Sequence, residues 1–254
     1  MTGSLADRSI LVTGAGRGLG RGVALACAAA GANIIVASPG ENGAETVAGI
    51  EAHGGSAGWA RCDATVAADV EGAVAAAIRR SGHLDAVIHN ATSRRSSEPV
   101  RLDDVDEALW DEHASVSLRG AYHCAQAALA QLRARRGRFI LMTSPAGIEG
   151  SAMLPVYATV KGALRGFAKS LAREWAPFGV TVNAVSPLAE TPAMTSAYEK
   201  DPTLEARLAR VVPMGHLGDP ETEIGPAVVF LAGDGAGFIT GQTLAVDGGR
   251  FMTL

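Results

Sequence analysis

Ser9-Ile10-Leu11-Val12, then Thr13-Gly14-Ala15-Gly16-Arg17-Gly18-Leu19-Gly20, then Arg21-Gly22-Val23-Ala24-Leu25-Ala26 is the stretch on which the fold turns. It reads as a short apolar strand, a glycine-rich turn and an Ala-rich helix. Glycines let a backbone approach a pyrophosphate closely, and the helix that follows presents unpaired amides and the positive end of its dipole. The spacing is G-x-x-x-G-x-G rather than G-x-G-x-x-G. A bare tight turn is the other reading, but a glycine turn after a first strand, opening an apolar helix, is the context in which such turns hold phosphates.

Outward from that unit the alternation repeats. Strands are expected at 9–12, 33–37, 58–62, 84–89, 138–142, 180–184 and 243–246, and helices at about 18–30, 66–80, 103–133, 153–176 and 221–231. Several strand runs are apolar on both faces, as in strands covered by helices above and below. The chain is therefore α/β: a Rossmann-type, doubly wound parallel sheet of about seven strands with helices on both faces. No linker or composition shift divides it, which predicts one domain over residues 1–254.

Composition narrows the function. In 254 residues, 22 Lys and Arg stand against 26 Asp and Glu, a net charge of −4 that argues against a nucleic-acid surface. Residues 22–40 carry no charge, yet Gly31, Asn33, Pro39 and Gly40 break the run, so no membrane span is expected. The N-terminal stretch, with Asp7 and Arg8, lacks a signal-peptide pattern. Three cysteines, Cys27, Cys62 and Cys124, suggest neither a disulfide framework nor a zinc site, and the expected location is cytoplasmic. The six histidines show no metal-ligand spacing, and His113 and His123 read as helix residues without chemical duty. No metal is expected.

Two later stretches complete a pattern. Tyr157-Ala158-Thr159-Val160-Lys161 has the form Y-x-x-x-K, with Ser144 thirteen residues before the tyrosine and just past an expected strand. Val182-Asn183-Ala184-Val185-Ser186-Pro187, Thr191-Pro192 and Gly241-Gln242-Thr243-Leu244-Ala245-Val246-Asp247-Gly248-Gly249 follow. With the glycine turn, these make the chain resemble the short-chain dehydrogenase/reductase family from about Asp7 to Gly249. The resemblance implies catalysis by Ser144, Tyr157 and Lys161. It also implies a dinucleotide held by Gly14, Arg17, Gly18, Leu19, Gly20, Ser38, Asp63, Ala64, Asn90, Ala91, Tyr157, Lys161, Pro187 and Thr191.

The chemistry follows from the residues themselves. Four apart on a helix, Tyr157 and Lys161 share a face, so the ammonium can favour the phenolate of a group that otherwise titrates near ~10. Tyr157 would give a proton to a carbonyl oxygen during reduction and take it back during oxidation, with Ser144 holding that oxygen. Asp63 reads as either an adenine contact or a helix N-cap, and Thr191 as either a carboxamide contact or a turn residue.

After the second strand, Ala37-Ser38-Pro39-Gly40 lacks the acidic residue that would bind the ribose hydroxyls of NAD, while Arg17 can face a 2′-phosphate. NADP(H) is expected, with NAD(H) as the alternative should Glu41 reach back. Three positions depart from the family pattern. Ser117 stands where an asparagine usually relays protons, Thr92 replaces a glycine after Asn90-Ala91, and Leu188 replaces a glycine after Ser186-Pro187. Residues 188–216 read as a loop with short helices over the cleft, a substrate lid in which Met194, Tyr198 and Leu204 either line a pocket or pack the lid. Arg133, Arg135, Arg136 and Arg138, with Arg173, read as a solvated helix end or as a dock for an acyl carrier protein.

The expected activity is an NADP(H)-dependent oxidoreductase acting between a ketone and a secondary alcohol, with a 3-oxoacyl thioester as the alternative substrate. The rival is a dinucleotide-binding regulator with weak or no turnover. The resemblance further implies a homotetramer built on the long helices and the C-terminal strand.

Overall fold

The protein is described here by a computed structural model covering residues 3–252. Seven strands, β1 (Ser9–Thr13), β2 (Asn33–Ser38), β3 (Ser56–Arg61), β4 (Ala86–His89), β5 (Arg138–Met142), β6 (Thr181–Pro187) and β7 (Thr243–Val246), form one sheet. Its order is β3-β2-β1-β4-β5-β6-β7, and every neighbouring pair is parallel. The chain winds outward from β1 in one direction and from β4 in the other, which opens a crevice at the carboxyl ends of these two strands.

Among the described residues ten α-helices accompany it: α1 (Gly18–Ala29), α2 (Asn42–Ala52), α3 (Ala67–Ser81), α4 (Glu107–His113), α5 (Gly120–Arg135), α6 (Ala146–Glu149), α7 (Pro155–Trp175), α8 (Pro192–Lys200), α9 (Leu204–Val211) and α10 (Gly225–Ala232). Alternation along each strand divides the core into two layers. Ile10, Val12, Ile34, Val36, Ile88 and Ile140 pack with Val23 of α1 and with Val228 and Leu231 of α10. Leu11, Ile35, Val87, Phe139, Leu141 and Val182 pack on the other face with α3, α5 and α7, where the Phe139 and Trp175 rings meet edge-on at 5.6 Å.

Three expectations about elements change. Helix α2 is absent from the sequence reading because its buried face is Gly43, Thr46 and Ile50, too weakly apolar to show a period. The helix expected at 103–133 is three pieces: Asp106 caps α4 by accepting from the Leu109 amide at 2.6 Å, a π-helical turn covers Ala114–Arg119, and α5 resumes at Gly120. Strand β6 continues to Pro187, and its backbone pairing brings Pro187 opposite Val246. Among the described residues no helix is long and apolar enough to cross a membrane.

Candidate active site

Every strand delivers its last residue to the same edge of the sheet. Thr13 is in register with His89, His89 with Leu141, and Met142 with Val185. Ser144 lies two residues beyond β5, and Tyr157 and Lys161 lie in the first two turns of α7, which opens with Pro155 at its first position.

The Ser144 side chain lies beside the Tyr157 phenol. Burial raises the Tyr157 pKa above the ordinary phenol value, and the Ser144 hydroxyl opposes that shift. The expected depression by Lys161 is thus not what governs the phenol of this cleft: the Lys161 Nζ lies 5.6 Å from the ring centroid, and desolvation outweighs it. Lys161 itself is only 3% exposed, donates to the Met142 carbonyl at 2.9 Å, and is pulled down to about 8 by burial. An acid, a hydrogen-bonding hydroxyl and a titratable cation meet at one point, an arrangement able to exchange a proton with a substrate oxygen.

The glycine turn has the shape of a phosphate cradle. Gly14 (φ +66°) and Gly18 (φ +54°) adopt a backbone that favours glycine, and a Cβ at Gly14 would fall 2.8 Å from the Ala91 Cα. At Gly20 a Cβ would stand 2.3 Å from the Gly14 carbonyl oxygen. The first turn of α1 has no capping side chain and no acidic residue, so its amides stay open to an anion. Arg17, its N-cap, is exposed, and Leu19 is half-buried beside it. Asn90 donates to the Gly14 carbonyl at 3.1 Å, which ties the end of β4 to the turn. The start of α8 comes close as well: a Cβ on Gly18 would sit 3.4 Å from Pro192 and 3.9 Å from Thr191.

The other candidates make local contacts. Ser38 is buried, with its hydroxyl donating to the Gly40 carbonyl and accepting from the Trp59 indole at 3.2 Å, so it does not present a free donor to a 2′-phosphate. Exposed Arg61, opposite Ser38 in register, is a basic group that the sequence reading passed over. Asp63 accepts from the Thr65 amide and hydroxyl in an Asx turn; the helix N-cap of α3 is Val66 instead. Ala64 is buried, and its carbonyl accepts from His123. Thr191 accepts from the Met194 amide at 3.4 Å at the start of α8, and Tyr198 bonds Glu190.

Ser117 is fully buried in the π-helical turn, and its hydroxyl has no partner. The helix thus departs from α geometry here even with serine in place of asparagine. Its carbonyl accepts from His89 Nε2 at 3.0 Å, while His89 Nδ1 faces the Thr13 hydroxyl at 3.0 Å. Since a carbonyl only accepts, Nε2 carries the proton and Nδ1 accepts from Thr13. Thr13 in turn accepts from the Asn90 and Ala91 amides. The sequence reading missed His89 because a histidine inside an apolar run gives no sign of what it touches. The Thr92 hydroxyl, also at the cleft, is buried without a partner.

The basic cluster lies elsewhere. Arg138 opens β5 and donates to the Arg136, Gly137 and Gly233 carbonyls, Arg135 pairs with buried Asp85 at 2.9 Å, and the Arg133 guanidinium stacks 3.6 Å from the Phe178 ring centroid. At ~3.3 Å per strand residue these groups are roughly 20 Å from Ser144, at the opposite end of the sheet. Arg133, Arg135 and Arg138 each have a local partner there.

Comparison with known proteins agrees with this geometry. A family model described as enoyl-(acyl carrier protein) reductase matches residues 14–250. The chain is 38% identical to the short-chain reductase protein NovJ of Streptomyces niveus, covering 94% of this chain and 92% of that one. It is 36% identical to the 3-oxoacyl-[acyl-carrier-protein] reductase FabG of Escherichia coli K12, covering 95% and 96%. A crystal structure of a short-chain alcohol dehydrogenase from Sinorhizobium meliloti 1021 superposes with a TM-score of 0.89 at 36% identity, over 97% of each chain. Sheet order, glycine cradle and end-to-end likeness lead to one conclusion: the chain belongs to the short-chain dehydrogenase/reductase family and is an oxidoreductase acting between C=O and CH–OH.

Proposed function

We propose that this protein is a cytoplasmic, NADP(H)-dependent enzyme that interconverts a ketone and a secondary alcohol, with Tyr157 as acid and base. The observation that carries the proposal is the meeting of Ser144, the Tyr157 phenol and buried Lys161 at the sheet edge that also bears the glycine cradle. Gly14, Gly18, Gly20 and the open amides of α1 would take the pyrophosphate, Asn90 and Ala91 would flank the adenine ribose, and Pro187 and Thr191 would meet the carboxamide. When bound, the nucleotide supplies or accepts the hydride. Tyr157 gives the carbonyl oxygen its proton in reduction and removes it in oxidation, while Ser144 steadies that oxygen and Lys161 holds the ribose.

Exposed Arg17, with exposed Arg61 at the end of β3, favours the 2′-phosphate over a free hydroxyl. The regulator alternative has little behind it, since Ser144, Tyr157 and Lys161 come together despite Ser117, Thr92 and Leu188. A 3-oxoacyl thioester is the second substrate reading, favoured by the 36% identity to the FabG reductase. The test is NADPH-linked turnover over ketones, alcohols and 3-oxoacyl thioesters. Tyr157→Phe is expected to lose about 10²–10⁴-fold in turnover with nucleotide binding intact. Arg17→Ala is expected to weaken NADPH more than NADH. Nucleotide binding without any Tyr157-dependent hydride transfer defeats the acid–base assignment.

A further inference from the structure

Between β6 and β7 the chain makes an excursion, residues 191–213, that carries α8 and α9, and both ends of it pass through one narrow neck. The Leu188 carbonyl accepts from the Gly218 amide at 3.0 Å, the Gly218 carbonyl accepts from the Glu190 amide at 2.9 Å, and Ala189 pairs with Gly218 as an isolated parallel bridge. The excursion starts beside the glycine cradle, where Thr191 and Pro192 approach Gly18. A neck that loosens would carry these two residues away from the cradle.

His216 lies on the returning side of that neck, and both of its ring nitrogens face oxygens. Nδ1 is 3.1 Å from the Met214 carbonyl, and Nε2 is 2.9 Å from the Glu223 carboxylate. A carbonyl only accepts, and so does an ionised carboxylate, so the two bonds exist together only when both nitrogens carry protons. His89 makes the contrast: its partners are a carbonyl and a hydroxyl, and a neutral ring satisfies both. Removing one proton from His216 sets a nitrogen lone pair against an oxygen and leaves one bond of the two. The bonds join different parts of the molecule. Met214 belongs to the returning chain, whereas the second oxygen of Glu223 accepts from the Asp219 amide at 2.7 Å, and Asp219 caps the π-helical turn Pro220–Ile224. That turn is seated on α1, where a Cβ at Gly22 would fall 2.4 Å from Pro220.

Glu223 faces the ring directly, and Asp219 stands behind it. The other charges around the neck are turned elsewhere: Glu190 takes the Tyr198 hydroxyl, Asp247 takes the Gly249 and Phe251 amides, Arg207 pairs with Asp201 at 2.9 Å, and Arg210 is exposed. The bonds to Glu223 and to the Met214 carbonyl raise His216 above the ordinary imidazole value of ~6.5. The clasp is therefore complete below that ordinary value and is lost as pH rises through the raised one.

We propose that His216 is a proton-operated latch: as an imidazolium it fastens the returning chain to Glu223 and holds the 191–213 excursion closed, and as a neutral ring it lets the excursion open. On the nucleotide reading given above, the latch also governs how firmly the cofactor is held.

The experiment follows backbone hydrogen exchange over residues 192–211 at pH 6 and pH 8, corrected for the intrinsic rate of each amide, in the native protein, His216→Arg and His216→Gln. Because the clasp is exposed, the native opening constant is expected to rise by about twofold to fivefold between the two conditions. Arginine keeps its charge and supplies donors to both acceptors, so His216→Arg should show no rise. Glutamine has no charge to lose, so His216→Gln should be insensitive to pH and at least as open as the native protein at pH 8. A native protein that opens equally at both, or a rise of the same size in either variant, overturns the inference. Glu223→Gln checks the pairing separately: the His216 ring titration, followed by nuclear magnetic resonance, should fall toward the ordinary imidazole value, and a titration that stays in place refutes it. NADPH affinity should drop more between pH 6 and pH 8 in the native protein than in His216→Arg, since any loss through Lys161 is common to both. An equal drop in the two would overturn control of the cofactor. Exchange that follows His216 in a protein binding no nucleotide would sink the nucleotide reading and leave the latch standing.

Discussion

Lys161 serves two opposing demands. The proposed chemistry needs its positive charge, yet the side chain is 3% exposed with the Met142 carbonyl as its hydrogen-bond acceptor, and burial brings its pKa to about 8. The ammonium is present below that value and lost above it, so NADPH affinity and ketone reduction should both decline as pH rises through 8. In Tyr157→Phe the affinity limb is expected to stay, since it belongs to the lysine; a limb that vanishes there would assign it to the phenol instead. Stability runs the other way. The unfolded lysine titrates near ~10.4, so between pH 8 and that value the unfolded chain binds more protons and this residue's contribution to stability grows with pH. Ser117 permits a cleaner separation of roles. Its buried hydroxyl has no partner, so Ser117→Ala should leave stability unchanged or raise it by about 1 kcal/mol. If the hydroxyl anchors a water relay toward Lys161, turnover falls by roughly tenfold in the same variant. Unaltered turnover would remove Ser117 from the mechanism.

At the scale of elements, His89 joins three pieces of the site: the Thr13 hydroxyl at the end of β1, its own strand β4, and the Ser117 carbonyl in the π-helical turn. His89→Leu would remove one partner from each, leaving the hydroxyl with the Asn90 and Ala91 amides and the carbonyl with the Gly120 amide. At about 0.5–1.5 kcal/mol for each lost hydrogen bond the expected loss is roughly 1–3 kcal/mol, read as a lower urea midpoint with the slope unchanged. A loss under ~1 kcal/mol would mean that the turn holds its shape without the imidazole. The same residue shows where the sequence was legible and where it was not. The strand runs, the glycine cradle and the four-residue spacing of Tyr157 and Lys161 are periodic signals, and the structure brings those residues together as expected. Helix α2 was invisible because glycine and threonine make its buried face. The break within 103–133 was invisible because a π-helical turn leaves the apolar spacing nearly intact. His89 owes its role to burial beside the cleft, and one histidine among apolar neighbours carries no period that would announce it.

For the whole molecule, the placement of exposed apolar side chains bears on assembly. Trp110 and Tyr122, at 46% and 51% exposure, lie on α4 and α5, while fully exposed Phe238 and half-covered Leu244 lie just before and within β7, the last strand of the sheet. An uncovered sheet edge with apolar neighbours favours association, and two separate self-complementary patches generate a closed tetramer of 222 symmetry where one would give only a dimer. We therefore expect four copies in sedimentation at micromolar concentration. Charging one patch, by Leu244→Glu with Phe238→Glu or by Trp110→Glu with Tyr122→Glu, should give dimers, and charging both should give single chains. Because the patches act through different interfaces, the two dimers should differ in shape and in which remaining pair of substitutions dissolves them. A native protein that sediments as one copy would show that these side chains remain in water, and the tetramer expectation would fall with them.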